Sequence, residues 1–235
     1  MAQGRSGDLI WLRPEHAAVG RPAQRSRAEV TAASVAIADR DGLEAVSMRR
    51  VAAELGTGAA SLYRYVETRD ELLDLMTDSV AAEYSLAAPS GDWLADLVSV
   101  GEQARAILRR HPWLAPLVIT RPVLGPHGLT VLEHVLDVLA PHPADIAAKL
   151  EAFATLNAIT AVFALNELAG GSAAQRRNAA YLQHAVTSGE HPRLARLLAR
   201  APATTADPGD RYADILTRVM TGLLGPPSRP RPAMG

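Results

Sequence analysis

The sequence predicts an all-α protein, and three observations lead to that fold class. Apolar residues recur at helical spacing along nearly the whole chain of 235 residues, 48% of which are hydrophobic. Aromatic residues, which favour strands, make up only 4% of the chain. Most of the periodic segments end at a Gly or a Pro, the residues that terminate helices. A chain of this length can bury one or two sizeable cores.

The first three predicted helices are short and lie close together in the chain. The first covers about residues 26 to 40, and the second follows Ser47, a favourable N-cap residue. A tight turn at residues 56 to 58 leads into a third helix at residues 59 to 66. Two short helices joined by a Gly-containing turn and braced by a preceding helix predict a helix-turn-helix unit. The second helix of such a unit can enter the major groove of DNA.

The remaining elements are predicted to be longer helices. Thr68, followed three residues later by Glu71, forms a capping box that opens a fourth helix directly after the third. Seven more are expected at 92–110, 112–119, 128–140, 144–169, 173–187, 192–200 and 210–223. The predicted organisation is a disordered arm (1–24), a helix-turn-helix domain (25–70), a larger helical domain (71–225) and a disordered tail (226–235).

Composition excludes several classes of protein. The net charge of −1 does not mark a polybasic nucleic-acid binder, so any DNA contact must come from a local arrangement of residues. Cysteine is absent, which excludes disulfides, thiolate nucleophiles and Cys-based metal sites and fits a reducing cytoplasm. We find no signal-peptide pattern and no run of ~20 apolar residues. The sequence therefore predicts a soluble, cytoplasmic protein with no membrane partner.

Side chains that can bind DNA cluster on and around the third predicted helix. With Leu62 pointing inward, Ala60, Ser61 and Arg64 face away from the core. Arg64 can donate to guanine or phosphate, and hydroxyl groups nearby can reach bases or backbone oxygens. Taken singly, each of these residues has an equally ordinary structural role.

The stretch GLEAVSMRRVAAELGTGAASLYRYVETRDELLDLM closely resembles the DNA-binding domain of the tetracycline-repressor family, and the likeness covers roughly residues 25 to 80. The resemblance implies contacts to bases or phosphates at Arg49, Thr57, Ala59, Ala60, Ser61, Tyr63, Arg64 and Tyr65, with Arg69 on a phosphate. The two alanines can only touch thymine methyl groups or leave room.

Beyond residue 80, HPWLAPLV and RPVLGPHGL resemble the tetracycline-repressor-like subgroup of the family. This implies a homodimer formed by two helices from each chain and a pocket for a small ligand. A ligand pocket is mostly apolar with a few convergent polar groups. The candidates are Trp93, Trp113, Leu117, His127, Leu129, Phe153, Asn157, Thr160, Phe163, Asn166, Glu167, Tyr181 and His184. Asn157 and Thr160 stand out because polar groups inside so apolar a helix need partners.

The predicted function is that of a transcriptional repressor, released from a palindromic DNA operator by a small apolar or amphipathic effector. Two alternatives remain: a helical metal-dependent hydrolase, and a small-molecule-binding or protein-binding protein that does not bind DNA. The sequence contains no HExxH, no closely spaced His set, no Gly-rich phosphate loop and no nucleophile elbow, so we expect no enzyme activity and no cofactor. The resemblance allows His127 or Glu167 to hold a ligand-bound metal ion, but no metal site is predicted.

The N-terminal arm has two possible roles. Its arginines, Arg13, Arg21, Arg25 and Arg27, are placed to reach a minor groove or neighbouring phosphates. The short apolar patch around Trp11 instead suits docking on the protein body.

Overall fold

The computed structural model describes residues 9–13, 25–122, 124–170, 172–200 and 208–225. Within these ranges the chain forms α-helices, one 3₁₀ turn at Leu43–Ala45 and no strand, which confirms the all-α prediction. The helices are α1 (Arg27–Asp41), α2 (Met48–Glu54), α3 (Ala59–Leu62), α4 (Arg69–Ala81), α5 (Trp93–Arg110), α6 (Leu114–Thr120), α7 (Pro126–Val138), α8 (Ile146–Leu168), α9 (Ala173–Thr187), α10 (Pro192–Arg200) and α11 (Pro208–Leu224).

Helix α1 forms the brace of the helix-turn-helix unit. It begins at a complete capping box, in which the Ser26 hydroxyl accepts from the Glu29 N–H and the Glu29 carboxylate accepts from the Ser26 N–H. It ends at Gly42, whose φ of 84° lies in the left-handed region that favours glycine. Its apolar face packs on α2 and α4, and the core of the unit includes Val30, Ile37 and Val51, all 0% exposed.

Helix α3 is shorter than predicted. It covers only Ala59–Leu62, and residues 63 to 65 form a turn in which the Tyr65 N–H bonds to the Leu62 carbonyl three residues back. The chain tightens here because α4 starts at Thr68, only a few residues later. At that start the Thr68 hydroxyl accepts from the Glu71 N–H, as predicted, whereas the Glu71 carboxylate accepts from the Glu67 N–H instead of closing the box.

The larger domain is built around α8, which packs against α5, α6 and α11. Its core includes Leu97, Leu156 and Leu216, which are at most 1% exposed. Gly101 lies where α11 crosses α5, since a Cβ atom there would be 2.5 Å from the Tyr212 hydroxyl oxygen. Helices α9 and α10 pack chiefly against each other.

Helix α8 is long and strongly apolar. It has 23 residues, and an 18-residue stretch of it has a mean hydropathy of 1.4, so it is the one helix in the described residues that is long and apolar enough to cross a membrane on length and composition alone. No run of ~20 uninterrupted apolar residues exists, but the average hydropathy stays high because charged residues such as Lys149 and Glu151 are few.

Residues 9–13 form a short turn, here called the N-terminal strap, that packs on the helix-turn-helix unit. Ile10 is buried, and the Arg27 guanidinium donates to the carbonyl oxygens of Ile10 and Arg13. Arg13 in turn pairs with Glu67 and Glu71. These five residues are therefore docked on the body and not disordered. The rest of the predicted arm, residues 201–207 and the predicted tail at 226–235 lie outside the described residues.

Candidate DNA-binding surface and ligand cavity

Helix α3 and the turn after it at residues 63–65, together called the recognition helix, present a small free surface. Ala60, Tyr63 and Arg64 are exposed, and Tyr63 keeps half of its surface in solvent. The hydroxyls of Thr57 and Ser61 lie 2.9 Å apart, and Ser61 Oγ donates to the Gly58 carbonyl. Both hydroxyls therefore also organise the turn into α3, and either must exchange a local bond to contact DNA.

The three predicted arginines differ in how free they are. Arg49 is exposed, and its guanidinium has no partner in the described part of the chain. Arg64 donates from Nε to the Ser61 carbonyl at 3.3 Å, and its guanidinium lies over the Tyr65 ring, 5.7 Å from the ring centroid. Its terminal nitrogens have no hydrogen-bond partner among the described residues and are available to DNA. Arg69 donates to the carbonyls of Val46 and Leu43 and thereby ties the start of α4 to the loop before α2.

Two predicted contacts need correction. Tyr65 is only 3% exposed, and its buried hydroxyl has no hydrogen-bond partner among the described residues. Because the helix ends at Leu62 and the chain turns, Tyr65 points into the core, whereas a continuous helix would have placed it on the flank. Ala59 is half-buried and packs on the same core. In this conformation neither residue belongs to the free surface.

A cavity of about 510 Å³ lies in the larger domain between α4, α5, α6, α7 and α8. Most of its lining is apolar, with side chains such as Val80, Ile107, Val131 and Leu132. Its polar groups are few and come from Thr77, Tyr84, Arg121, Asn157 and Thr160. This combination is typical of a small-molecule site.

Three of the predicted ligand residues, Phe153, Asn157 and Thr160, line this cavity. Thr160 is fully buried, and its hydroxyl bonds to the Leu156 carbonyl and to the Tyr212 hydroxyl. The Asn157 amide and the Tyr84 hydroxyl have no hydrogen-bond partner among the described residues. Burial raises the pKa of Tyr84 well above its usual value, so its phenol stays neutral. The site thus offers neutral hydrogen-bonding groups in an apolar wall, beside the Arg121 guanidinium, whose charge is paired with Asp70 and Asp74.

Four predicted residues belong to the packed core instead of the cavity wall. Trp93 packs edge-on against His142, Phe163 packs edge-on against Tyr212, and Leu117 packs against the buried residues that include Trp113 and Leu114. The Trp113 indole donates to Asp39 at 2.7 Å.

The other predicted ligand residues also lie away from the cavity. Glu167 pairs with Arg105 and Arg109. His127, Leu129, Asn166, Tyr181 and His184 are exposed, and Tyr181 and His184 stand on α9. The resemblance indicated α7 and α8 among the helices around the cavity, but it added α9, missed α4 and did not indicate which face of each helix meets the cavity.

The sequence reasoning missed Thr77, Tyr84 and Arg121, which supply most of the polar lining. Thr77 and Tyr84 are seven residues apart, a spacing that puts both on one face of α4 and its extension. That spacing was a usable signal. Arg121 gave no such signal in the sequence, because its position depends on ion pairs with Asp70 and Asp74 of α4.

His111 joins the two domains. Its Nδ1 lies 2.7 Å from a carboxylate oxygen of Asp39 in α1, and its Nε2 lies 2.9 Å from a carboxylate oxygen of Glu83 after α4. Both ring nitrogens can donate at once only when the imidazole is protonated. No three His, Asp or Glu side chains in the described ranges converge as a metal site.

A helix-turn-helix unit whose next helix runs on to an apolar cavity defines the class of one-chain regulators that combine a DNA-binding and a ligand-binding domain. Comparison with family models identifies the family within this class of regulators. Residues 30–76 match the model of bacterial regulatory proteins of the tetR family, and residues 87–225 match the tetracyclin repressor-like C-terminal domain. The chain belongs to the tetracycline-repressor family, as the sequence resemblance implied.

Several relatives are similar over large parts of the chain. The transcriptional repressor DrrR1 of Streptomyces coeruleorubidus is 44% identical over 139 residues, which are 58% of this chain and 52% of DrrR1. A regulator of Saccharopolyspora erythraea is 38% identical over 140 residues, which are 59% of this chain and 58% of that protein. The chain thus spans little more than half the length of these curated relatives. The structure of ActR of Streptomyces coelicolor in complex with actinorhodin superposes with a TM-score of 0.74 at 30% identity, covering 86% of this chain and 96% of ActR.

Proposed function

We propose that this chain is a transcriptional repressor that binds a palindromic operator as a homodimer and is released by a small, largely apolar ligand held in the cavity. One observation carries the proposal. Helix α4 begins at Thr68, directly after the recognition turn, and its far end lines the cavity through Thr77, Val80 and Ala81. A ligand that shifts this end also shifts the recognition helix.

Fewer residues are assigned to DNA contacts than the sequence predicted. We assign base or phosphate contacts to Arg49, Ala60, Tyr63 and Arg64 on the free surface, with Thr57 and Ser61 contributing after local rearrangement. Arg69 is placed near the same surface but is held by the carbonyls of Val46 and Leu43.

The ligand we propose is neutral, mostly apolar and equipped with hydrogen-bonding oxygens along one edge. Asn157 and Tyr84 are the groups that would meet those oxygens, because neither has a partner in the described structure. ActR, the structural relative, was solved with actinorhodin, which makes actinorhodin the first compound to test here.

The homodimer is proposed to form through α8 and α11. Both helices keep large apolar side chains between 44% and 60% exposed, and a second copy would cover such side chains; they are Ile146, Val162 and Leu168 of α8 and Leu223 of α11. We assign this surface of α8 to a second copy and not to lipid, because its other faces pack on α5, α6 and α11. The protein would then act in the cytoplasm, without metal and without catalysis.

Selection of binding sites from a pool of random duplex DNA tests the proposal. We expect an enriched inverted repeat whose half-sites are about one helical turn apart, since two recognition helices of a symmetric dimer meet the groove together. Addition of actinorhodin is expected to release the selected DNA. Enrichment of no sequence, or of sites without inverted symmetry, would contradict the proposal.

A further inference from the structure

The carboxylate of Asp78 connects α4, which runs from the recognition helix to the cavity, with α7, which lines the cavity. This contact between the two helices is called the joint below. Asp78 is only 5% exposed. One of its oxygens accepts the backbone N–H of Gly128 at 2.9 Å, and the other accepts that of His127 at 3.3 Å. The two helices also pack directly against each other.

Helix α7 has no cap of its own. Its N-cap residue, Gly125, has no side-chain acceptor, and Pro126 follows at the first helical position. In the same domain α5 and α8 are capped by their own Asp92 and Asp145. Asp78 therefore supplies from another helix the acceptors that the first turn of α7 needs, and it places a negative charge at the positive end of the helix dipole.

The joint is tightly packed. A Cβ atom on Gly125 would lie 2.4 Å from Cγ of Asp78 and 2.8 Å from the Trp11 ring. Trp11 belongs to the N-terminal strap, which Arg27 holds on α1. The start of α7 is thus enclosed by α4 and by the N-terminal strap. It cannot move without moving Asp78 or breaking the hydrogen bonds that Asp78 accepts.

Both sides of the joint also face the cavity. Thr77 and Val80 line it from α4, next to Asp78 in the sequence, and Gly128 and Val131 line it from α7. A ligand that fills the space between these helices pushes on the two partners of the same set of hydrogen bonds.

From this arrangement we propose that Asp78 is the positioning residue through which occupancy of the cavity is transmitted to α4 and the recognition helix. The inference rests on the proposed function. Displacement of the first turn of α7 pulls on the Asp78 carboxylate, and α4 tilts about its start at Thr68. Asp78 touches neither DNA nor ligand in this account.

Asp78→Asn tests the inference, with Asp145→Asn as the matched control. Both substitutions remove a charge from a helix cap and keep one acceptor oxygen, but Asp145 caps α8 within its own helix. Affinity for the selected operator is measured by fluorescence anisotropy with and without saturating actinorhodin. For the wild type and Asp145→Asn we expect a loss of about 5- to 150-fold. For Asp78→Asn we expect a clearly smaller loss with actinorhodin still bound, because only the direct contact of the ligand with Thr77, Val80 and Ala81 then acts on α4; an unchanged loss would overturn the inference.

A second experiment needs no ligand. Leu132→Trp fills the cavity from α7 and is combined with Asp78→Asn in a double-mutant cycle on operator affinity. We expect Leu132→Trp to weaken operator binding in the wild type and to have little effect alongside Asp78→Asn, whereas additive effects would overturn the role of Asp78. Failure of actinorhodin to bind, or absence of a specific operator, would instead contradict the proposed function.

Hydrogen exchange covers the case in which Asp78→Asn does not fold. It is measured at the backbone amides of His127 and Gly128 in proteins that keep Asp78. The inference predicts faster exchange at both amides in the Leu132→Trp variant than in the wild type, because the filled cavity strains their bonds to Asp78. Unchanged exchange at both positions would overturn it.

Discussion

Arg64 is the residue on which sequence-specific DNA binding is expected to depend most. It is exposed on the recognition turn, and its terminal nitrogens form no bonds within the described structure. We predict that Arg64→Ala lowers affinity for the selected operator by about 1–3 kcal/mol and relaxes base preference, because base contacts specify. Anisotropy titrations on operator and random DNA measure this. Tyr63→Phe serves as the comparison and should weaken both DNAs about equally; an equal loss for Arg64→Ala would show that Arg64 only contacts phosphate.

His111 is expected to hold the two domains together. It is 7% exposed and bridges Asp39 and Glu83. We predict that His111→Ala lowers the free energy of unfolding by about 2–4 kcal/mol, because it removes the contacts of both ring nitrogens with carboxylate oxygens and empties a buried position between the two domains. Urea denaturation measures the loss. His127→Ala, at an exposed histidine, should change stability little, and equal effects of the two substitutions would argue against the bridge.

At the residue scale, the sequence predicted which side chains can bind DNA better than it predicted which way each side chain points. Arg64 and Tyr63 stand free as expected, yet Tyr65 is buried because the helix ends one turn early. Asp78 carried no sequence signal, since its role depends on α7, whose start lies about fifty residues further along the chain.

At the scale of elements, Glu167 ties α8 to α5. Its carboxylate pairs with the buried Arg105 and with the exposed Arg109. Burial acts to raise the pKa of Glu167, but the hydrogen bonds and charges of Arg109 and Arg105 outweigh it and hold the pKa below its usual value of 4.5. The link between these two helices therefore depends on the ionised carboxylate.

We predict that this link gives the stability a defined dependence on pH. Because the pKa is lower in the folded state, the unfolded chain takes up more protons as the pH falls below about 4.5, and stability is lost through that range. Glu167→Gln should cost about 1–2 kcal/mol at pH 7. The difference from wild type should shrink as the pH falls below 4.5 in urea denaturation series. A difference that stays constant down to acid pH, or an equal cost for exposed Glu190→Gln, would contradict this assignment.

Element boundaries were predicted best where the signal is local. The bounds of α9 and α10 match the expected 173–187 and 192–200, because Ser172 caps the start of α9 and Gly189 and Pro192 separate the two helices. Helix α3 was predicted too long, since its end is set by the need to begin α4 at Thr68. The cavity was predicted only in part, because the faces that meet between five helices follow from packing and not from any one helix.

At the scale of the whole molecule, the exposed apolar surface of α8 is expected to form the dimer interface. We predict that Val162→Glu raises the dimer dissociation constant roughly a hundredfold, about 3 kcal/mol, because it would bury an unpaired charge. Sedimentation velocity at a series of concentrations measures this. Ala106→Arg, on the exposed side of α5, is the control. A Val162→Glu variant that dimerises like wild type would place the interface elsewhere.

The central claim is that cavity and DNA surface are linked through α4, and reciprocal binding tests it most directly. Operator affinity is measured with and without saturating actinorhodin, and actinorhodin affinity is measured on free and operator-bound protein. Linkage requires both affinities to fall by the same factor, and we expect a factor of about 5 to 150. Tight binding of actinorhodin with the same affinity for free and operator-bound protein would contradict the account.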